Sequence, residues 1–378
     1  MSVEFGQVIS LSANTSWYLY NFRNSTINLL QKEGFRVLCL SPDDGYGQKL
    51  VDELDCEWQP LRLDNQGSNP LRDLAALWQL YRAYRQFRPQ VALHFTIKNN
   101  VYGTWAARLL KIPAINNVSG LGTAFIRKGF ASAMVRLLSR LSMPLAFRVF
   151  CQNAEDRELL VSEKLVPATR LVEIPGSGVD LDRFNPQKRR TGDRPFRFLF
   201  AGRMLADKGL FELLDAVRAI NSQAMRCELW LCGFADVQNV SAISNAQLQE
   251  WSTRSGVAWL GSTDHMEKVY AEVDAVVLPS YREGLSRTLL EAAAMSLPLI
   301  TTDVPGCRQV VKHGDNGFLC EAGSSKSLQH AMERLMNLSK VELSLMGSKG
   351  RELVAQEYDV KKVETATLNA IKQAIAEK

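Results

Sequence analysis

Residues 197–216 read RFLFAGRMLADKGLFELLDA. The apolar run Arg197–Ala201 predicts a strand, Gly202-Arg203 leave its end, and Lys208-Gly209 open an amphipathic helix. An arginine, a lysine and a helix N-terminus together suit a diphosphate, because two side-chain cations and the partial positive end of the helix all favour an anion. Taken alone, the same residues also fit a solvated turn with two surface cations.

The strand–helix pattern continues in both directions. Further strands are expected at Glu228–Cys232, Ala258–Leu260, Ala275–Leu278, Leu299–Thr301 and Phe318–Cys320. Helices Gly209–Ile220, His265–Val273, Arg287–Met295, Ser325–Met336 and Val360–Ile375 separate or follow them. The first half repeats the alternation, with strands at Gln7–Leu11, Arg36–Leu40, Val91–Phe95, Ala114–Val118, Arg148–Gln152 and Arg170–Ile174. Its helices are Tyr20–Glu33, Pro70–Phe87, Asn100–Leu110 and Asn153–Lys164. Such alternation predicts parallel sheets covered on both faces. The polar stretch DRFNPQKRRTGDRP (Asp182–Pro195) predicts the joint. The organisation expected is therefore α/β, two doubly wound Rossmann-like domains facing a deep interdomain cleft. Residues 1–182 form the first domain, 183–195 the linker and 196–357 the second, with 358–378 a C-terminal helix packing back on the first. Ligands of such sheets bind outside the carboxyl ends of the strands.

A second motif follows the strand Ala275–Leu278. Residues 279–295 read PSYREGLSRTLLEAAAM, with Glu283-Gly284 in the loop and Glu291 on the next helix among Leu289, Leu290, Ala292 and Ala293. A carboxylate in that setting needs a partner, and a ribose diol supplies hydroxyl donors. A capping or salt-bridging glutamate is the competing explanation.

Gly202-Arg203, Lys208-Gly209, Glu283-Gly284 and Glu291, in this order, resemble the retaining nucleotide-sugar glycosyltransferases of family four, with the GT-B fold. The similarity runs on through Pro298, Thr301–Asp303, Gly306, Val310, Gly314 and Asn316-Gly317, and includes Pro175–Asp180 and Phe184 near the joint. The resemblance implies that Gly202, Arg203 and Lys208 bind the donor diphosphate and Glu291 the donor ribose. It also implies that Glu283 and the amides of Gly284, Leu285 and Ser286 face the transferred sugar. Ser286, Ser296, Gln309 and Gly323-Ser324 depart from the common family pattern, which touches sugar selectivity rather than the diphosphate charges.

In the first half, SANTSWYLYNFR (Ser12–Arg23), HFTIKNNVYG (His94–Gly103) and NVSGLGTAF (Asn117–Phe125) resemble the subgroup that builds capsule, O-antigen and lipid-linked glycans on a polyprenyl diphosphate. The acceptor-binding residues implied are Asn14, Thr15, Trp17, His94, Lys98, Asn100, Gly120 and Gly122, with His94 also a catalytic candidate beside Glu283, Arg203 and Lys208. Packing roles compete for Trp17 and His94, and turn roles for the two glycines.

Composition narrows the setting. The chain has 378 residues, 46% hydrophobic and 22% charged, an ordinary globular balance with room for two cores. The net charge of +5 is unevenly spread. From Asn65 to Ala154 there are 12 Lys and Arg and one acid, Asp73, so this stretch carries +11 and the remainder −6. Within it Arg127–Phe150 mixes arginines with Leu, Met, Val and Phe, as a segment lying in an anionic membrane interface does. An amphipathic core helix with a solvated basic face is the alternative. No nucleic-acid motif accompanies the charge. Seven cysteines without a CxxC pair, no signal-peptide pattern and no apolar run of about 18–20 residues point to a cytosolic protein, peripheral on the inner face of the membrane.

The expected activity is transfer of a hexose or N-acetylhexosamine, with retention, from a nucleotide sugar, by preference UDP-linked, to a polyprenyl-diphosphate-linked saccharide. No cofactor and no metal are expected, because Asp180-Leu181-Asp182 reads as a turn and the four histidines lack ligand spacing. A hydrolysing nucleotide-sugar epimerase, a non-catalytic subunit on a transferase fold and a dinucleotide-dependent oxidoreductase are the competing classes. The last lacks G-x-G-x-x-G.

Overall fold

The computed structural model describes residues 6–63, 70–119, 130–186, 194–224, 226–235, 239, 241–253 and 256–378. Two compact units emerge: Met1–Ser177 with Lys361–Lys378, and Gly178–Val360.

The first unit holds β1 (Val8–Ser12), β2 (Arg36–Ser41), β3 (Glu57–Pro60), β4 (Val91–Phe95), β5 (Ala114–Val118), β6 (Arg148–Cys151) and β7 (Leu171–Glu173). They form a parallel sheet in the order β3-β2-β1-β4-β5-β6-β7. Every residue of β1, β4 and β5 is buried, as helices on both faces require. The covering helices are α1 (Ser16–Lys32), α2 (Gly47–Asp52), α3 (Pro70–Phe87), α4 (Thr104–Leu109), α5 (Phe130–Ser142) and α6 (Ala154–Ser162). Ile9, Leu11, Leu93 and Ile115 fill one face with Leu19, Ile27 and Leu30 of α1. Leu38, Leu40 and Ala92 fill the other with Leu80, Ala83 and Tyr84 of α3.

The second unit contains β8 (Phe196–Ala201), β9 (Cys227–Cys232), β10 (Val257–Trp259), β11 (Ala275–Leu278), β12 (Leu299–Thr302) and β13 (Gly317–Cys320), all parallel, in the order β10-β9-β8-β11-β12-β13. Its helices are α7 (Leu210–Ile220), α8 (Asn245–Ser252), α9 (Met266–Tyr270), α10 (Arg287–Ala294), α11 (Ser325–Met336) and α12 (Lys340–Glu357). In α7 the buried Leu210, Leu213, Leu214 and Val217 follow the i, i+3, i+4, i+7 spacing of one helical face. The last helix, α13 (Val360–Ala376), buries Val363, Ala370, Ile371 and Ala374 in the first unit's core.

The joint differs from its sequence reading. Phe184, inside the polar stretch, is 1% exposed in the second unit's core, and Val179 pairs with Asp359. The chain therefore enters the second unit at Gly178, not in 183–195. A run rich in charge and proline concealed one aromatic anchor. Residues 187–193 of the expected linker lie outside the described residues.

Candidate active site

In each sheet the strand order reverses once, between β1 and β4 and between β8 and β11. The loops at the carboxyl ends of these neighbours are where ligands of doubly wound sheets bind.

In the second unit the two loops are Gly202–Gly209 and Pro279–Ser286. Gly209 has φ +75°, and a Cβ there would lie 2.2 Å from the Pro279 carbonyl oxygen, so only glycine lets the loops close on each other. The Tyr281 amide donates to Asp207 O at 3.0 Å, and the Thr288 hydroxyl donates to Ala201 O at 3.0 Å. This packing brings Lys208 to Glu283, Nζ to Oε1 at 2.5 Å, with both side chains mostly buried. Arg203 is exposed, and its side chain bonds none of the described residues. Helix α7 starts at Gly209 with no side chain capping its amides. A fixed ammonium, an unengaged guanidinium and open helix-end N–H groups thus share one loop. Gly202 and Gly284 are half-buried in the two loops, Leu285 packs at the core margin, and Ser286 accepts from Leu289 N as the cap of α10. Gly306, at φ +79°, backs the second loop: a Cβ would lie 2.0 Å from Gly284 O.

Glu291 is 8% exposed, and its partners are protein groups rather than solvent. Arg287 Nε donates to Oε1 at 2.6 Å, and the Tyr270 hydroxyl donates to Oε2 at 3.2 Å. Burial, then the Glu291 carboxylate, hold the Tyr270 hydroxyl well above its ordinary pKa, so it stays a donor. Sequence reasoning named neither partner. Arg287 stands one helical turn before Glu291, a legible i, i+4 signal, whereas Tyr270 comes from α9 and leaves none. Asp180 Oδ1 accepts from the amides of Asp182 and Arg183, each at 2.9 Å, which makes this acid a turn cap. Among the described residues no group of three or more metal-ligating side chains occurs.

In the first unit Thr15 caps α1, accepting from Tyr18 N at 3.1 Å. Asn14 beside it is half-buried. Trp17 is half-buried and packs edge-on against Phe22, ring centroids 5.0 Å apart. Lys98 pairs with Asp73 at 2.7 Å. Thr96, after β4, has φ +77°, a strained backbone for a β-branched residue, and a π-helical turn follows at Asn99–Gly103. Gly120 and Gly122 lie outside the described residues.

His94 requires a correction. Its side chain is 0% exposed and both ring nitrogens are bonded inside the unit, which leaves no group free for an acceptor. Nε2 meets the Tyr84 hydroxyl at 2.9 Å and Nδ1 meets Asn116 Oδ1 at 2.8 Å. Asn116 Nδ2 donates to Thr104 Oγ1 at 2.8 Å, and Thr104 donates to Asn100 O at 2.6 Å. One proton arrangement satisfies this chain, with Tyr84 donating to Nε2 and Nδ1–H donating to Asn116. Asn100 is 1% exposed and donates to Asn117 O at 2.9 Å, so it too shapes the loop from inside. Burial lowers the His94 pKa from 6.5 to about 4. A histidine that takes up its proton only near pH 4 when folded, but near 6.5 when unfolded, stabilises the protein above pH 6.5. That stability is lost as pH falls toward 4. Urea unfolding should show about 2 kcal/mol lost on this account between pH 7 and pH 5, a slope that His94→Gln removes.

The comparisons with known proteins agree with this layout. Residues 24–176 match the family described as "Glycosyl transferase 4-like domain", and residues 195–338 match "Glycosyl transferases group 1". A capsular polysaccharide biosynthesis glycosyltransferase of Staphylococcus aureus is 23% identical over 343 residues, 88% of each chain. A Campylobacter jejuni enzyme named N,N'-diacetylbacillosaminyl-diphospho-undecaprenol alpha-1,3-N-acetylgalactosaminyltransferase is 26% identical over 357 residues, 90% of this chain and 92% of its own. Sucrose-phosphate synthase from Thermosynechococcus elongatus superposes with a TM-score of 0.80 at 18% identity, covering 98% of this chain and all of that one, which shows the shared GT-B fold. The two matched regions take in both switch-point loops of each sheet except the loop after β1, and on them the chain belongs to the group 1, family-four-like glycosyltransferases.

Proposed function

We propose that this glycosyltransferase moves a hexose or N-acetylhexosamine, with retention, from a UDP-linked donor to a polyprenyl-diphosphate-linked saccharide in bacterial surface-polysaccharide synthesis. The observation that carries the reading is the meeting of Lys208 and Glu283 at the β8/β11 switch point, beside Arg203, whose side chain bonds none of the described residues. The names of the capsular and undecaprenol-linked relatives support the acceptor class.

Arg203, Lys208 and the α7 amides stabilise the charge that grows on the departing nucleotide diphosphate. Glu283 orients hydroxyls of the transferred sugar, and Glu291, held by Arg287 and Tyr270, presents its carboxylate to the ribose. Retaining hydrolases place a nucleophilic carboxylate and a second acid at the sugar. Here Glu283 is tied to Lys208, which favours direct same-face attack. The anomeric C–O bond to phosphate breaks, the acceptor oxygen bonds to the anomeric carbon, and the hydroxyl proton passes to the leaving diphosphate.

The acceptor's lipid calls for a membrane surface. Leu137, Leu141 and Leu145 are exposed beside Arg136 and Arg140, although both arginines also reach Glu163, at 3.6 and 3.9 Å. Residues 127–129 of the expected interfacial segment lie outside the described residues. Helix α3 adds a stripe that sequence reasoning missed, Leu71, Leu74 and Trp78 at 78%, 62% and 57% exposure. Its i, i+3, i+7 spacing is that of one helical face. No helix among the described residues is long and apolar enough to cross a membrane. An Arg136→Ala/Arg140→Ala variant should bind anionic liposomes about thirtyfold more weakly in flotation, at about 1 kcal/mol per basic residue. Unchanged flotation contradicts the role of α5.

The activity is tested by nucleotide release across UDP-, GDP- and ADP-sugars, with and without a polyprenyl-diphosphate monosaccharide. UDP release that depends on acceptor is expected. Equal release without acceptor points to a hydrolysing epimerase and overturns the reading.

A further inference from the structure

Arg23 lies two turns into α1 and is 2% exposed. Its Nη2 donates to the Tyr18 hydroxyl at 2.8 Å, and its guanidinium carbon stands 4.3 Å from the centroid of the Phe95 ring and 5.5 Å from that of Tyr18. Its Nε is buried with no hydrogen-bond partner, and no carboxylate among the described residues pairs with it. Four other arginines behave differently: Arg183, Arg194, Arg197 and Arg287, all less buried, each meet a carboxylate. A guanidinium keeps its charge, and a buried charge without a counter-ion is costly. Aromatic faces offset part of that cost and leave the Nε–H without an acceptor.

The location adds a second, independent observation. Phe95 ends β4 and α1 follows β1, so the guanidinium sits at the first sheet's switch point. Thr96, the next residue, carries the strained φ of +77°. Strain of this kind persists where surrounding structure fixes a site. Tyr18 is only half-buried, which brings the pair to the unit's surface.

We infer that Arg23 and Tyr18 form a preformed position for a phosphoryl oxyanion, and that this position receives the diphosphate of the acceptor. The inference rests on the reading that the first unit binds such an acceptor. The open Nε–H and the second Nη2–H suit phosphoryl oxygens side by side, and the Tyr18 hydroxyl is fixed by Arg23 next to them.

The test is calorimetric titration of the whole protein with inorganic pyrophosphate while saturating UDP fills the donor position. Wild type should retain a UDP-insensitive pyrophosphate site. Arg23→Met should weaken that site at least tenfold, leave UDP affinity unchanged and melt no lower than wild type. Arg23→Lys keeps the charge but not the fork, should fall between the two, and serves alone if Arg23→Met does not fold. Equal pyrophosphate affinity in wild type and either variant, or no UDP-insensitive site in wild type, overturns the inference. Because this titration involves no sugar transfer, its failure is separate from failure of the release assay.

Discussion

Arg203→Ala and Lys208→Ala should each lower kcat/KM at least tenfold, about 1.4 kcal/mol of transition-state stabilisation. The two arrive at that loss differently. Arg203 is exposed and bonds none of the described residues, so its removal has no folding consequence and its loss reports on the ligand alone. Lys208 is tied to Glu283, and deleting it strands a mostly buried carboxylate. That variant should also lose on the order of 1–3 kcal/mol of stability, since breaking a buried pair exposes the cost of the charge left behind. Glu283→Gln in the Lys208→Ala background should recover most of this stability and none of the activity. Steady-state kinetics together with urea unfolding separate the two effects. Wild-type rates in Arg203→Ala and Lys208→Ala remove the diphosphate role.

Gly306→Ala should be among the most damaging single methyls in the second unit. The new Cβ meets Gly284 O at 2.0 Å and Glu283 O at 2.8 Å, both backbone atoms that move only if the donor loop moves. Left-handed backbone adds about 1 kcal/mol for alanine, and the total should reach on the order of 3 kcal/mol. Activity should fall more than tenfold even where the protein is folded, because Glu283 and Gly284 are displaced together. Gly314→Ala is the control. Its φ of +80° matches, yet nothing lies within 4 Å of its Cβ. It should lose only the conformational part and keep full activity. Equal behaviour of the two variants in unfolding and turnover contradicts the close packing of Gly306 on the loop.

The alternation of strands and helices was legible because parallel strands buried on both faces are continuous apolar runs. β3 (EWQP) escaped because it is a four-residue strand at the sheet edge, without β-branched residues. Helix α12 escaped for another reason. Its Ser339/Glu342 capping box was readable, but two of the four buried positions of its packing face are glycines, Gly347 and Gly350, between Met346 and Val354, which thins the apolar stripe. The donor residues were legible as charges in loops after strands. Their pairing was not, since the contact between Lys208 and Glu283 spans 75 positions. His94 shows the limit most clearly. A polar residue at a strand end looks like a ligand group in sequence, and only Tyr84, Asn116 and Thr104 around it show that its hydrogen bonds turn inward. Arg23 carried no signal of its own in the sequence, and only the structure shows it buried with no carboxylate partner among the described residues.

The central claim is sugar transfer from a nucleotide to a lipid-linked diphosphate saccharide. Mass spectrometry of the lipid fraction, after incubation with a polyprenyl-diphosphate monosaccharide and the UDP-, GDP- and ADP-sugars, tests it most directly. The account predicts a lipid product heavier by one hexose or N-acetylhexosamine residue with a UDP-linked donor, absent when Arg203 or Lys208 is alanine. An unmodified lipid with every donor contradicts it.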